Sequence, residues 1–182
     1  MKKIYLPIAV VTILALHSCN NSGSSSMTSG SKDSSATSME QQNLEKNRSV
    51  YKAIETGDSA TIRSLIADDA VDHQGPHGNE IKGGAAITHW LTDMHNHVKD
   101  LKFDIVADAA KGDYIFAMVD MKGTAADNSM GAPAGSNMGG KSVDVVKVKD
   151  GKMVEHWGFL DWQDVMKMGQ PSSMDSTGKM KK

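Results

Sequence analysis

Apolar positions recur at helical spacing in the first half of this chain and alternate in the second. In residues 44–55, Val50, Tyr51 and Ile54 share one side, and Gly57 closes the predicted helix. Asp58 or Ser59 is placed to cap a short second helix carrying Ile62, Leu65 and Ile66. Residues 70–73 read as a short extended piece before the turn Gly75, Pro76, His77, Gly78. A longer helix is predicted over 84–98, with Ile87, Trp90, Leu91, Met94 and Val98 on one inward stripe. Four strand-like runs follow at 101–107, 114–123, 141–149 and 152–160, the last two joined by Asp150 and Gly151. A final helix covers 162–168. Helices first and antiparallel strands afterwards predict an α+β fold, not a parallel α/β sheet.

The two ends carry a different pattern. After Met1, Lys2 and Lys3 the chain is apolar over 4–16, interrupted by Pro7 and Thr12. That run is shorter than the ~20 residues of a membrane span and reads as a secretory signal. It ends in Leu16, His17, Ser18 and Cys19, which resembles a bacterial lipobox with Cys19 acylated, although His17 departs from the usual small residue. The alternative is an ordinary signal peptide that leaves Cys19 as a free thiol. With one cysteine no intramolecular disulfide can form. The following stretch is rich in Ser, Asn, Gly and Thr and cannot bury enough surface to offset its ordering entropy.

The expected organisation is therefore a signal peptide (1–18), a flexible polar tether (19–43), one domain (44–169) and a polar tail (170–182). The expected location is the bacterial cell envelope, anchored through a lipid on Cys19. Asn20 points to the periplasm-facing outer membrane. A net charge of -2 offers nothing to a nucleic acid.

Several stretches resemble, in order, the SnoaL-like polyketide cyclases, ester-cyclase-type members of the nuclear transport factor 2-like superfamily. They are Val71, Asp72 and His73 with Gly75, Pro76, Gly78 and Glu80; Met94 and His95 followed by Asp100, Leu101, Lys102, Phe103, Asp104 and Ile105; Gly112 and Asp113; Gly123 and Thr124; and Gly131, Ala132, Pro133, Ala134 and Gly135. The last is the strand of Gly151, Lys152, Met153, Val154, Glu155, His156 and Trp157, which leads to Asp161. The resemblance implies a cone-shaped, curved antiparallel sheet wrapped around the long helix and enclosing an apolar pocket. It also implies acid/base chemistry on a small apolar carbonyl compound by Asp161, with no metal and no cofactor. Ala125 stands where the family often has His, Lys147 where Arg is common, and the loop 125–140 is long.

Asp161 is the first candidate for chemistry, with apolar walls from Trp157 and Phe159 if the strand stays regular. Its bland role is to cap the helix that follows. His73 and His95 are candidate carbonyl-polarising groups, against bonding to a backbone group and a boundary position respectively. Trp90, Met94, Met118, Trp157 and Phe159 are the expected pocket lining.

His89, Asp93 and His97 have metal-ligand spacing but fall opposite the apolar stripe, so a solvated face is expected. Among 13 methionines, Met130 and Met138 suggest Cu(I) only weakly and fit an adaptable lining better. Two functions compete: a cyclase- or isomerase-type catalyst, and a non-catalytic module that binds a small ligand. In the second, the alternative use of the domain is to offer its open sheet face to a dimer partner; a homodimer is the expected assembly.

Overall fold

The computed structural model describes residues 30–167. The signal peptide, Cys19, residues 20–29 and the tail 170–182 lie outside them. Helix α1 (Gly30–Thr56) and helix α2 (Ser59–Leu65) lead into strand β1 (Ile66–Asp72). A 3-10 turn (Pro76–Gly78) and strand β2 (Ile81–Lys82) precede helix α3 (Gly84–His97). Strands β3 (Val98–Lys111), β4 (Tyr114–Ala125), β5 (Gly140–Lys149) and β6 (Lys152–Leu160) follow, and a short helix α4 (Trp162–Val165) ends the described chain. The expected α+β architecture is present.

One six-stranded curved sheet has the order β2-β1-β6-β5-β4-β3. β1 runs parallel to β6, so the chain returns to complete the sheet beside its own first strand. The other pairings are antiparallel. The β5–β6 hairpin turns at Asp150 and Gly151, with φ of 52° and 73°. Two consecutive positive φ angles are what a type I′ turn requires, and Gly supplies one of them without strain.

Three helices cover the inner face. Ile62, Ile66, Ala70 and Ile87 are fully buried and form the main core with Ala53, Ile54, Val98 and Leu101. Leu91 and Met94 of α3 pack against it, as their helical spacing predicted. Asp58 caps α2 by accepting a hydrogen bond from Thr61 N–H at 3.0 Å.

Glu55 fastens α1 to β3: its carboxylate accepts from Phe103 N–H (2.8 Å) and from the ammonium groups of Lys52 (2.8 Å) and Lys102 (2.9 Å). Burial opposes its ionisation, but those bonds outweigh it and hold the carboxyl at about 2.

Helix α1 differs from expectation, because its first half occupies 30–43, the segment read as tether. Glu40 accepts a bond from Gly112 N–H at 2.8 Å, and Lys46 donates to Gly151 O at 3.3 Å. Both contacts reach the strand-turn end of the sheet, so a polar helix finds partners there without an apolar face.

Candidate functional site

Alternation along the strands sorts the sheet into two faces with different chemistry. Ile115, Ala117 and Val119 of β4 point inward and are buried. On β5 the inward row is Asp144, Val146 and Val148. Register then carries the row onto β6: Asp144 pairs with Gly158 and Val146 with His156. On β1, Asp72 pairs with His156. An otherwise apolar inner face thus holds Asp72, His156 and Asp144 side by side, and Tyr51 reaches them from α1.

The side chains form two coupled pairs. His156 Nδ1 lies 2.9 Å from Asp72 Oδ1, which also accepts a bond from Gln74 N–H at 2.8 Å. An ionised carboxylate only accepts, so Nδ1 carries the hydrogen, and the other ring nitrogen, Nε2, points away from Asp72. The Asp72 side chain is 4% exposed and that of His156 20%. Burial works against charge on His156, but the Asp72 bond and charge outweigh it and raise its pKa. Burial likewise opposes ionisation of Asp72, yet His156 and the Gln74 N–H hold its pKa below the usual range. Each partner therefore favours the charged form of the other.

In the second pair Tyr51 donates its hydroxyl to Asp144 Oδ2 at 2.7 Å. Burial and the Asp144 charge push the phenol far above its ordinary pKa, so it stays a donor. Asn47, one turn earlier on α1, is 8% exposed. Its amide is close enough to act on the Tyr51 hydroxyl, yet its Nδ2 completes no hydrogen bond. Gly158 leaves space opposite Asp144, and the Gln74 carboxamide fills it: a Cβ on Gly158 would meet Gln74 Oε1.

The residues singled out from the sequence fall elsewhere. Asp161 is exposed and caps α4, accepting from Gln163 N–H at 2.8 Å. His73 is on the outer face, stacked on Trp157 with centroids 4.9 Å apart and bonded to Glu80 (2.8 Å) and Glu155 (3.4 Å). His95 is exposed, bonds Glu55 O at 2.9 Å and lies against Gly57. Of the expected lining, Met94 packs on the core and Trp90 is half-buried.

Trp157, Phe159 and Met118 do share a face, but it is the outward one, where Phe159 is 61% exposed. The physical reason is parity. In β4 the inward positions belong to Ala117 and Val119, and in β6 to His156 and Gly158, so the larger side chains alternate outward.

The outer face is correspondingly apolar. Register lines up Met118, Val143 and Phe159 in one row and Phe116, Val145 and Trp157 in the next, across β4, β5 and β6. His89 pairs with Asp93 (2.9 Å), whereas His97 turns to Asp127 (2.8 Å). Among the described residues no group of three or more His, Cys, Asp or Glu could hold a metal. Met130 and Met138 pack against the core from the long loop. Among the described residues no helix is long and apolar enough to cross a membrane.

A curved sheet closed on its inner face by helices, with polar groups gathered inside, defines a domain of the nuclear transport factor 2-like superfamily. Within it the chain belongs to the SnoaL-like domain family, whose profile matches residues 47–156. The match takes in Asn47, Tyr51, Asp72, Asp144 and His156 and ends before Asp161. No curated protein matches the chain in sequence.

Among solved structures, it resembles IdmH, a candidate polyketide cyclase from Streptomyces antibioticus, at 25% identity and a TM-score of 0.57, covering 70% of this chain and 95% of that one. It also resembles a candidate SnoaL-like polyketide cyclase from Jannaschia sp. CCS1 (15% identity, TM-score 0.63, 73% and 95% covered). A third is a protein of ketosteroid isomerase-like fold from Catenulispora acidiphila in complex with trimethylamine (16%, 0.56, 72% and 97%). The latter two likenesses speak for the fold alone.

Proposed function

We propose that this chain is an exported, lipid-anchored SnoaL-like domain that takes a small, largely apolar carbonyl compound onto its inner face. There it carries out cofactor-independent acid/base chemistry of the cyclase or isomerase type. The observation that carries this reading is the Asp72–His156 pair: a titratable ring fixed by a buried carboxylate among apolar side chains. In such a setting a hydrogen bond from Nε2 to a carbonyl oxygen is stronger than in water and polarises the carbonyl. His156 takes the role first sought in His73 and His95.

The apolar outer face fits a second copy of the chain, which would leave both inner faces open. A second reading, binding without turnover, draws on Asp161, whose carboxylate is spent on a helix cap in solvent. Exchange of the α-hydrogens of cyclohexanone into D2O by the full chain tests the catalytic reading. His156→Gln is expected to lower the rate by about 100-fold, the lower end for a general acid/base. Equal exchange by the two folded proteins would remove the assignment.

A further inference from the structure

If His156 polarises a carbonyl, a second group must remove the proton from the adjacent carbon. Three carboxylates come into consideration, two on the inner face and one beyond the end of β6. Asp72 is buried and its Oδ1 is occupied by both His156 and Gln74 N–H. Asp161 lies past the end of β6, exposed, with Oδ1 on Gln163 N–H. Asp144 alone combines inward placement, partial exposure and an oxygen to spare. Its Oδ2 accepts from Tyr51, whereas Oδ1 has no hydrogen-bond partner among the described residues.

Spacing favours the same residue. Asp144 pairs with Gly158 and Val146 with His156, so Asp144 and His156 are diagonal neighbours on one face. Diagonal positions of an antiparallel pair lie about 7–8 Å apart, and somewhat less at their Cβ atoms. His156 is held from the β1 side by Asp72 and Asp144 from α1 by Tyr51, so a carbonyl compound laid across Gly158 has the ring on one side and the carboxylate on the other, within the reach a general acid and base require. No side chain grows from Gly158 into the space, and the Gln74 carboxamide that occupies it is the tip of a flexible chain a ligand can displace.

We propose that Asp144 is the catalytic base of this site, held in place by Tyr51 and paired across the ligand with His156; this rests on the inner-face reading above. The step is balanced. The Cα–H bond breaks and its proton passes to Asp144 Oδ1. The electron pair forms the Cα=C bond, and the carbonyl oxygen takes a proton from His156 Nε2, which leaves a neutral enol. Where the compound carries a β,γ double bond, delivery of the Asp144 proton to the γ-carbon, as the enol O–H proton returns to His156 Nε2, isomerises it. Where a second carbonyl is in reach, attack of the enol carbon closes a ring, the new alkoxide taking the proton from Asp144 and the enol proton returning to His156 Nε2. The substrate class is a small carbonyl compound with an α-hydrogen. Tyr51, whose hydroxyl bonds Asp144 and touches no reacting atom, is a positioning residue.

The test compares Asp144→Asn, Asp161→Asn and His156→Gln in the full chain, using cyclohexanone in D2O and reading deuterium at the α-carbon. In Asp144→Asn the new carboxamide oxygen can still accept the Tyr51 hydroxyl, so the fold should persist, as near-UV circular dichroism will show. Asp144→Asn is expected to lower exchange by about 100-fold. Asp161→Asn is expected to stay within about two-fold, as for an exposed surface position. Asp144→Glu, which keeps a carboxylate, should recover part of the loss.

Full exchange by Asp144→Asn, or loss by Asp161→Asn, overturns the assignment while a loss in His156→Gln keeps the inner-face reading. Wild-type exchange no faster than buffer contradicts both.

Discussion

Asp72 on β1 and His156 on β6 face each other across the parallel strand pair, 2.9 Å apart, with the carboxylate sealed from solvent and the ring partly exposed. The relationship ties the early strand to the last one and fixes which ring nitrogen is left free of the carboxylate.

It also makes stability depend on pH. The raised pKa of His156 means that its contribution is complete below the unfolded value of about 6.5 and is lost as pH rises through the higher folded value. The lowered pKa of Asp72 acts in the other direction, with its contribution present above about 3.9 and lost as pH falls through the folded value. Thermal unfolding should therefore show greatest stability from this pair between those limits and a decline above pH 6.5 of at most about 1.4 kcal/mol per pH unit. His156→Gln should flatten the alkaline decline. An unchanged profile in that variant would mean that the pair does not titrate as described.

Asn47 gives a prediction of opposite sign to most core substitutions. Its Nδ2 is buried without a hydrogen bond, a state that costs about 1–3 kcal/mol. Asn47→Leu removes the unpaired group and keeps nearly the same shape. Urea unfolding of the variant should show a gain of about 1 kcal/mol. A loss of similar size would show that the amide has a partner, such as an ordered water.

Two glycines should respond differently to the same methyl. At Gly84, where α3 begins, a Cβ would meet the backbone carbonyl of Ala67, which cannot swing aside. Gly84→Ala is expected to cost about 1–3 kcal/mol, as overpacking does. At Gly158 the Cβ meets the end of the Gln74 side chain, so Gly158→Ala should move Gln74 at a cost below about 1.5 kcal/mol. Denaturation midpoints of the two variants measure the contrast directly.

The outer face predicts association. Met118 and Phe116 are 45% and 43% exposed in the middle of the apolar rows. A charge placed in such a patch should prevent a second copy from burying it. Sedimentation of the full chain is expected to show a dimer, and Phe116→Lys a monomer of unchanged secondary structure. A wild-type monomer at all accessible concentrations would leave this face without the proposed partner.

The fold was largely legible because long strands with tight turns and one amphipathic helix carry strong periodic signals. Asp58 as a cap and Asp150 with Gly151 as a turn are local chemistry that a sequence displays openly. The inner site was not legible in the same way. Asp72 and His156 are far apart in the chain, and only the parallel return of β6 beside β1 brings them together. Alternation showed that Trp157 and Phe159 share a face, but which face looks inward depends on what covers the sheet. Large aromatic residues suggested the interior, whereas the interior positions went to His156 and Gly158. The length of α1 was hidden because a polar helix tied down at Glu40 and Lys46 has no apolar stripe.

The inner face as the working face is the claim on which the rest stands. The direct measurement is a titration of the full chain with cyclohexanone, following the ring-carbon protons of every histidine by NMR. The account predicts that the His156 signals move with ligand concentration while those of His73 and His95 stay fixed. Movement at His73, beside Trp157 on the outer face, with His156 unmoved would contradict it.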